Sequence, residues 1–292
     1  MIKHIVISGG GHSILSFYGT MKESNKNQYW NYKNIESIYG SSAGSIMAVI
    51  LSLNIDWELL DNYFLNRPWE KVFSLNFESL FSIFNNFGMF SNQVIIDLLN
   101  PLFKCNDIDI NITIKELYDI NHIDIHIITT ELFNFESIDI SHKTHPDWKV
   151  VDAVYASCAI PILFIPLKID NTFYLDGGIL NDYPIDICLK NNNNEDEIFA
   201  IKKQNTEAIQ DPDKKINLFD FLSIILRKVV HLILQEKKTE IKNTVNINQD
   251  AINLDHIIKV SSCKTTRSNM ITEGEEVFKE FIQNIDNNQD NK

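Results

Sequence analysis

Ile35-Glu36-Ser37-Ile38-Tyr39-Gly40-Ser41-Ser42-Ala43-Gly44-Ser45-Ile46 reads as an apolar strand, a tight turn and the start of an apolar helix. A serine at the apex of a strand-to-helix turn, with glycine two residues to either side, is the arrangement of a nucleophile elbow. A side chain at either flanking position would meet neighbouring backbone, and the serine is held in a strained conformation that exposes its hydroxyl. Ser42 is therefore the candidate nucleophile, with Gly40 and Gly44 as its steric support.

Upstream the same logic repeats. Lys3 to Ser8 reads as a buried strand, Gly9-Gly10-Gly11 as a loop, and Ile14, Phe17, Tyr18 and Met21 recur at helical spacing. Two successive strand-loop-helix units predict an α/β fold with a mostly parallel central sheet flanked by helices. Both glycine loops then fall at the carboxyl edge of the sheet, where such folds place their sites.

Downstream, residues 56 to 103 read as mainly helical, with Phe73, Phe77, Phe81, Phe84 and Phe87 spaced by three and four. That series suits either a packed core or a lid and acyl tunnel. Thr113 to Glu116 is a capping box, and Ile123 to Thr130 and Phe135 to Ser141 alternate as strands. Val150 to Ala156 reads as a helix, Thr172 to Leu175 as a short strand running into Asp176, and Glu197 to Lys202 as a strand after the solvated run Asn191 to Asn194. Leu218 to Lys242 is expected to be one amphipathic helix, His256 to Ser261 a late strand, and Thr272 to Glu275 the cap of a final helix. One domain is expected over residues 1–285, with a disordered tail over 286–292.

The chain has 292 residues and a formal charge of −13. That balance argues against a nucleic-acid partner and against purely electrostatic docking to anionic lipid. Cys105, Cys158, Cys188 and Cys263 show no metal-ligand spacing, so they read as reduced thiols of a cytoplasmic protein, and no metal site is expected. No signal peptide or membrane-spanning run is apparent.

An elbow serine needs donors for the oxyanion of the tetrahedral intermediate and a base for its proton. Ser8-Gly9-Gly10-Gly11-His12 meets the first need: consecutive glycines let amides turn inward at a helix start, and Gly10 and Gly11 are the favoured donors. The loop lacks the third glycine of a dinucleotide fingerprint and the Gly-Lys-Ser/Thr of a phosphate loop. For the base, Asp176 stands at a strand exit in Leu175-Asp176-Gly177-Gly178, and a Ser-His-Asp arrangement through His231 or His256 is the alternative. Of ten glycines, seven fall in these three motifs, which sets the motifs apart from random punctuation.

Taken in order, the three motifs resemble the patatin-like phospholipases, lipid acyl hydrolases with a Ser-Asp dyad. The resemblance implies Ser42 as nucleophile, Asp176 as dyad aspartate, Gly9, Gly10 and Gly11 as oxyanion loop, and Gly177 and Gly178 as support of the dyad loop. Gly88-Met89-Phe90-Ser91, Ala156 to Pro166 and Asp176 to Pro184 are similar to family segments too, so the likeness covers roughly residues 1–205. One departure stands out: Ser13 and Ile14 occupy the place of the family's basic residue and glycine. The implied activity is of phospholipase A or lysophospholipase type, without cofactor or metal, on phospholipid or lysophospholipid at a peripheral membrane surface, with a host or protein activator allowed for. A lipid- or partner-binding module of the same fold without turnover is the rival.

Overall fold

Strand β1 (His4–Ile7) lies between β2 (Ser37–Ser41) and β9 (Ile198–Asn205), parallel to both, in the computed structural model. The structure describes residues 1–73, 77–192, 194–205, 239–249 and 254–290, together with 221–222, 224–225 and 228–229. Residue alternation explains why β1 is central. Ile5 and Ile7 enter the larger core with Ile38, whereas Val6 and Tyr39 face the opposite side and pack with Ile185 and Ile198. A strand buried on both faces reads as a continuous apolar run, and Ile5-Val6-Ile7 does.

Other elements among the described residues include α1 (Ile14–Lys26), α2 (Ala43–Ser52), α3 (Trp57–Asn66), α4 (Phe77–Asn86), β3 (Gly88–Phe90), α5 (Gln93–Cys105) and α6 (Ile114–Asn121). Then follow β4 (Asp124–Glu131), β5 (Glu136–Ile140), α7 (Val150–Cys158), β6 (Ile162–Phe164), β7 (Leu167–Ile169), β8 (Thr172–Asp176) and α8 (Ile185–Asn192). After β9 come β10 (Thr244–Gln249), α9 (Leu254–Ser262) and α10 (Lys264–Asp290). The main sheet has the order β10-β9-β1-β2-β4-β8-β7, with β5 paired to β4, and β3 and β6 form a separate parallel pair. This is the mostly parallel α/β architecture expected from the two opening units.

One joint in this sheet builds the site. On the side of β4 away from β5, β2 pairs along the first half and β8 along the second: Ser41 stands opposite Ile128, and Asp176 opposite Thr129. Strands β2 and β8 therefore meet end to end on one edge of β4, which brings Ser42 and Asp176 together across 134 residues of chain.

Three expectations are corrected. His256 to Ser261 is not a strand but lies in helix α9; its β-branched residues suggest extension, yet Ile257 and Val260 share a helical face over the cavity described below. Thr272 to Glu275 does not open the final helix, because α10 runs from Lys264 to Asp290. The segment lies inside a close helix crossing: a Cβ on Gly274 of α10 would meet the Ser16 carbonyl of α1, and one on Gly19 would meet the Ile271 carbonyl. The helix expected over Leu218 to Lys242 falls largely outside the described residues, and its far end from Thr239 is not helical. Short strands β3, β6 and β7 have no counterpart in the pattern of the sequence. The phenylalanine series divides: Phe73 packs edge to face on Phe90, Phe84 and Phe87 are exposed, and the side chains of Phe77 and Phe81 lie outside the described residues.

Candidate active site

Ser42 sits at φ 51°, ψ −121°, between β2 and α2, a left-handed conformation that a non-glycine residue adopts only when its surroundings impose it. Those surroundings are visible atom by atom. A Cβ on Gly40 would lie 2.3 Å from the Gly44 carbonyl oxygen, and one on Gly44 would lie 2.2 Å from that of Ile7. The Ser42 amide donates to Ser157 Oγ at 2.9 Å, and that hydroxyl donates in turn to the Ile128 carbonyl of β4 at 2.5 Å. Nothing in the sequence singles out Ser157. It lies in the small-residue stretch before Pro161, and its role depends on α7 packing under the elbow.

The Ser42 hydroxyl donates directly to Asp176 Oδ2 at 2.7 Å, with no imidazole between them. Both side chains are nearly buried, at 7% and 6% exposure. Asp176 Oδ1 accepts the Gly178 amide at 2.7 Å, which fixes the carboxylate plane. A Cβ on Gly177 would stand 2.1 Å from the Ile128 carbonyl oxygen, so the loop can pass this close to β4 only without a side chain. Burial pushes Asp176 up to about 7, against the opposing pull of the Ser42 and Gly178 hydrogen bonds. A carboxyl near neutrality is a far better proton acceptor than an ordinary aspartate.

Of the glycine loop, Gly9 donates its amide to the Asp182 carbonyl at 2.8 Å, so it cannot also serve an oxyanion. That leaves Gly10 and Gly11, the favoured donors, and makes Gly9 a structural member of the loop. Among the described residues no acceptor engages the amide of Gly10 or of Gly11, and Gly11 takes φ 54° at the mouth of the cavity. Ser13, in the place of the family's basic residue, is fully buried, and Ile14, in the place of its glycine, lines the cavity. His12 also lines it, edge-on to His256 of α9 with ring centroids 5.1 Å apart. His231 lies outside the described residues.

The hydroxyl of Ser42 opens on a cavity of about 140 Å³ whose walls are almost wholly apolar, with Ile46, Phe73, Phe90, Leu98, Leu163 and Val260 among them. Cys158 adds a thiol that burial holds neutral, 3.8 Å from Ser45 Oγ. Such an apolar lining beside the serine suits a hydrocarbon chain.

A family model described as patatin-like phospholipase matches residues 5–189. The chain belongs to that family. The patatin-like segment contains the elbow, the glycine loop and the dyad loop. A probable lipid hydrolase of Invertebrate iridescent virus 6 is 26% identical to this chain over 197 residues, 67% of this chain and 66% of its own length. The chain thus spans about two thirds or less of the curated relatives it matches. Among solved structures, VipD of Legionella pneumophila superposes with a TM-score of 0.55 at 14% identity, covering 97% of this chain and 67% of VipD. The type III effector ExoU superposes with a TM-score of 0.50 at 13% identity, covering 97% and 53%. These likenesses establish a shared patatin-like fold.

Proposed function

We propose that this chain is an acyl-ester hydrolase of phospholipase A or lysophospholipase type, with Ser42 and Asp176 as its dyad. The observation that carries the reading is the 2.7 Å hydrogen bond from Ser42 to a nearly buried carboxylate beside an apolar cavity. The acyl chain enters the cavity and presents its carbonyl carbon to Ser42 Oγ. As the C–O bond forms, the serine proton passes to Asp176 Oδ2, and the carbonyl oxygen becomes an oxyanion facing the Gly10 and Gly11 amides. The intermediate collapses, the leaving alcohol takes the proton from Asp176, and an acyl-serine remains. Asp176 then deprotonates water, which attacks the ester and restores Ser42 with release of the fatty acid. A base near 7 fits both proton transfers.

The same sheet edge offers a surface for the substrate. The β4–β5 turn projects beyond Thr129, the register position of Asp176, and carries Phe133 at 65% exposure with Phe135 and Leu132 also exposed. Glu131, itself buried, accepts the Phe133 and Asn134 amides at 2.8 and 2.7 Å, so the turn is held rigid with its apolar side chains outward. With a chain charge of −13, contact with lipid through apolar side chains suits the protein better than contact through charge.

Fatty-acid release from phosphatidylcholine and lysophosphatidylcholine vesicles tests the reading. Ser42→Ala and Asp176→Asn should each lower release by about a thousandfold or more, the scale of loss when a nucleophile or its base is removed. Equal release by all three proteins would sink it, and vesicle binding without any release by wild type would favour the non-hydrolytic module. In the same assay Phe133→Ser with Phe135→Ser should weaken sedimentation with vesicles yet leave hydrolysis of a short, water-soluble ester unchanged.

A further inference from the structure

Three strand exits converge on one point that the dyad chemistry above leaves unused. A Cβ on Gly178 would lie 2.9 Å from Asp176 Oδ1 and 3.1 Å from Asp182 Oδ1. The two carboxylate oxygens are therefore within about 6 Å of each other, the range in which one charge alters the ionisation of another. The same Asp182 oxygen lies 2.2 Å from where a Cβ on Gly9 would stand, and Ser42 Cβ is 3.4 Å from that point. The backbone holds this residue in place, because its carbonyl accepts the Gly9 amide at 2.8 Å. Gly9 and Gly178 thus leave open a slot between the glycine loop and the dyad loop, and the carboxylate of Asp182 fills it.

We propose that Asp182 is a positioning residue for charge: seated in that slot, it disfavours the ionised form of Asp176, so that the dyad carboxylate holds the serine proton more firmly. The proposal rests on the hydrolase reading for its consequence but not for its geometry. Asp176 has no histidine to share the task, and both of its hydrogen bonds, from Ser42 and from the Gly178 amide, weaken it as a base. Burial opposes them, and the negative charge of Asp182 acts in the same direction as burial. Among the described residues the neutral thiol of Cys158 on α7 also stands near Asp176, and the hydroxyl of Ser41 on β2 lies 2.7 Å from where a Cβ on the neighbouring Gly177 would stand. On the elements flanking Asp182, Lys202 of β9 lies over the Tyr183 ring and pairs with Glu240, Lys203 donates its amide to Ser8 Oγ, and His12 stands on the cavity side of the loop. The arrangement is that of two carboxylates with one polar neighbourhood, in which the second charge sets the proton affinity of the first.

The pH dependence of kcat/KM on a soluble acyl ester, measured for wild type, Asp182→Asn and Asp182→Ser, tests this. Asn preserves shape without charge; Ser removes the carboxylate and leaves the backbone bond to Gly9 intact. Loss of the charge lowers the proton affinity of Asp176, so the ascending limb should move to lower pH by about one unit, a tenfold change in proton affinity. Activity at acid pH should rise relative to the plateau, and the plateau itself should fall as the base weakens. A residue that only packs would lower the rate at every pH and leave the midpoint where it was, and that result overturns the proposal. Carboxyl carbon NMR titration of Asp176, assigned with Asp176→Asn, reads the same shift in protein that turns nothing over. Absence of ester hydrolysis in wild type would thus count against the proposed function, whereas an unmoved Asp176 titration on Asp182→Asn would count against this inference alone.

Discussion

At the scale of single residues, the site is assembled at the expense of the fold. Ser42 occupies a left-handed conformation without being glycine, and Asp176 is buried with its ionisation pushed up to about 7. The sign of the second effect is fixed: a carboxyl whose folded-state pKa exceeds its unfolded value of 3.8 destabilises the fold increasingly as pH rises from there through about 7. Asp176→Asn removes that penalty. Its amide oxygen can accept from Gly178 while its NH₂ donates to Ser42 Oγ, so both contacts of the side chain persist with the second reversed. The variant should be inactive yet more stable than wild type by about 2 kcal/mol at pH 8, with the gain vanishing near pH 4. Thermal melts of the two proteins across that range decide it, and a variant less stable than wild type at pH 8 would refute it.

At the scale of elements, what the sequence reveals depends on whether the reason is local. Gly40, Gly44 and Gly177 are legible because glycine at a strand exit answers a steric demand of its immediate surroundings, and each meets backbone within 2.4 Å of a Cβ position. Ser157 and Asp182 are not legible, since their roles arise from where α7 and the dyad loop come to rest. Helix α9 is hidden for a related reason: Ile257, Ile258 and Val260 are β-branched and favour a strand, and only the cavity beneath them settles the period. Gly274 lies in the interior of α10, where alanine ordinarily stabilises a helix by about 0.5–1 kcal/mol. Here a Cβ would stand 2.0 Å from the Ser16 carbonyl oxygen, so Gly274→Ala should destabilise the protein by about 2 kcal/mol, read by chemical denaturation. Val260→Phe, which adds bulk to the cavity wall, should shift the preferred acyl chain to shorter lengths in a series of esters, with little effect on an acetyl ester.

At the scale of the whole molecule, titratable side chains gather at both ends of the sheet. The carboxyl edge holds the dyad and its apolar cavity; the amino end of β4 holds a cluster in which His126 lies between Asp139 at 2.9 Å and Asp124 at 3.4 Å. Lys143 and His142 also engage Asp124, and Tyr39 stacks on His126. Burial alone would lower His126, but its two aspartates outweigh burial and raise it to about 9. Its contribution is full below the unfolded value of 6.5 and is lost as pH rises through about 9. Wild type should therefore lose melting temperature between pH 7 and 9.5, and Asp139→Asn should flatten that decline; an unchanged slope would remove the cluster from the account. The end-to-end meeting of β2 and β8 on β4 has a consequence in time. During synthesis Ser42 emerges 134 residues before its partner, and a slip of β8 by one residue on β4 would turn Asp176 to the other face of the sheet. A nascent or misregistered chain therefore lacks the Ser42–Asp176 pair, and the proposed hydrolysis waits until that strand has found its place.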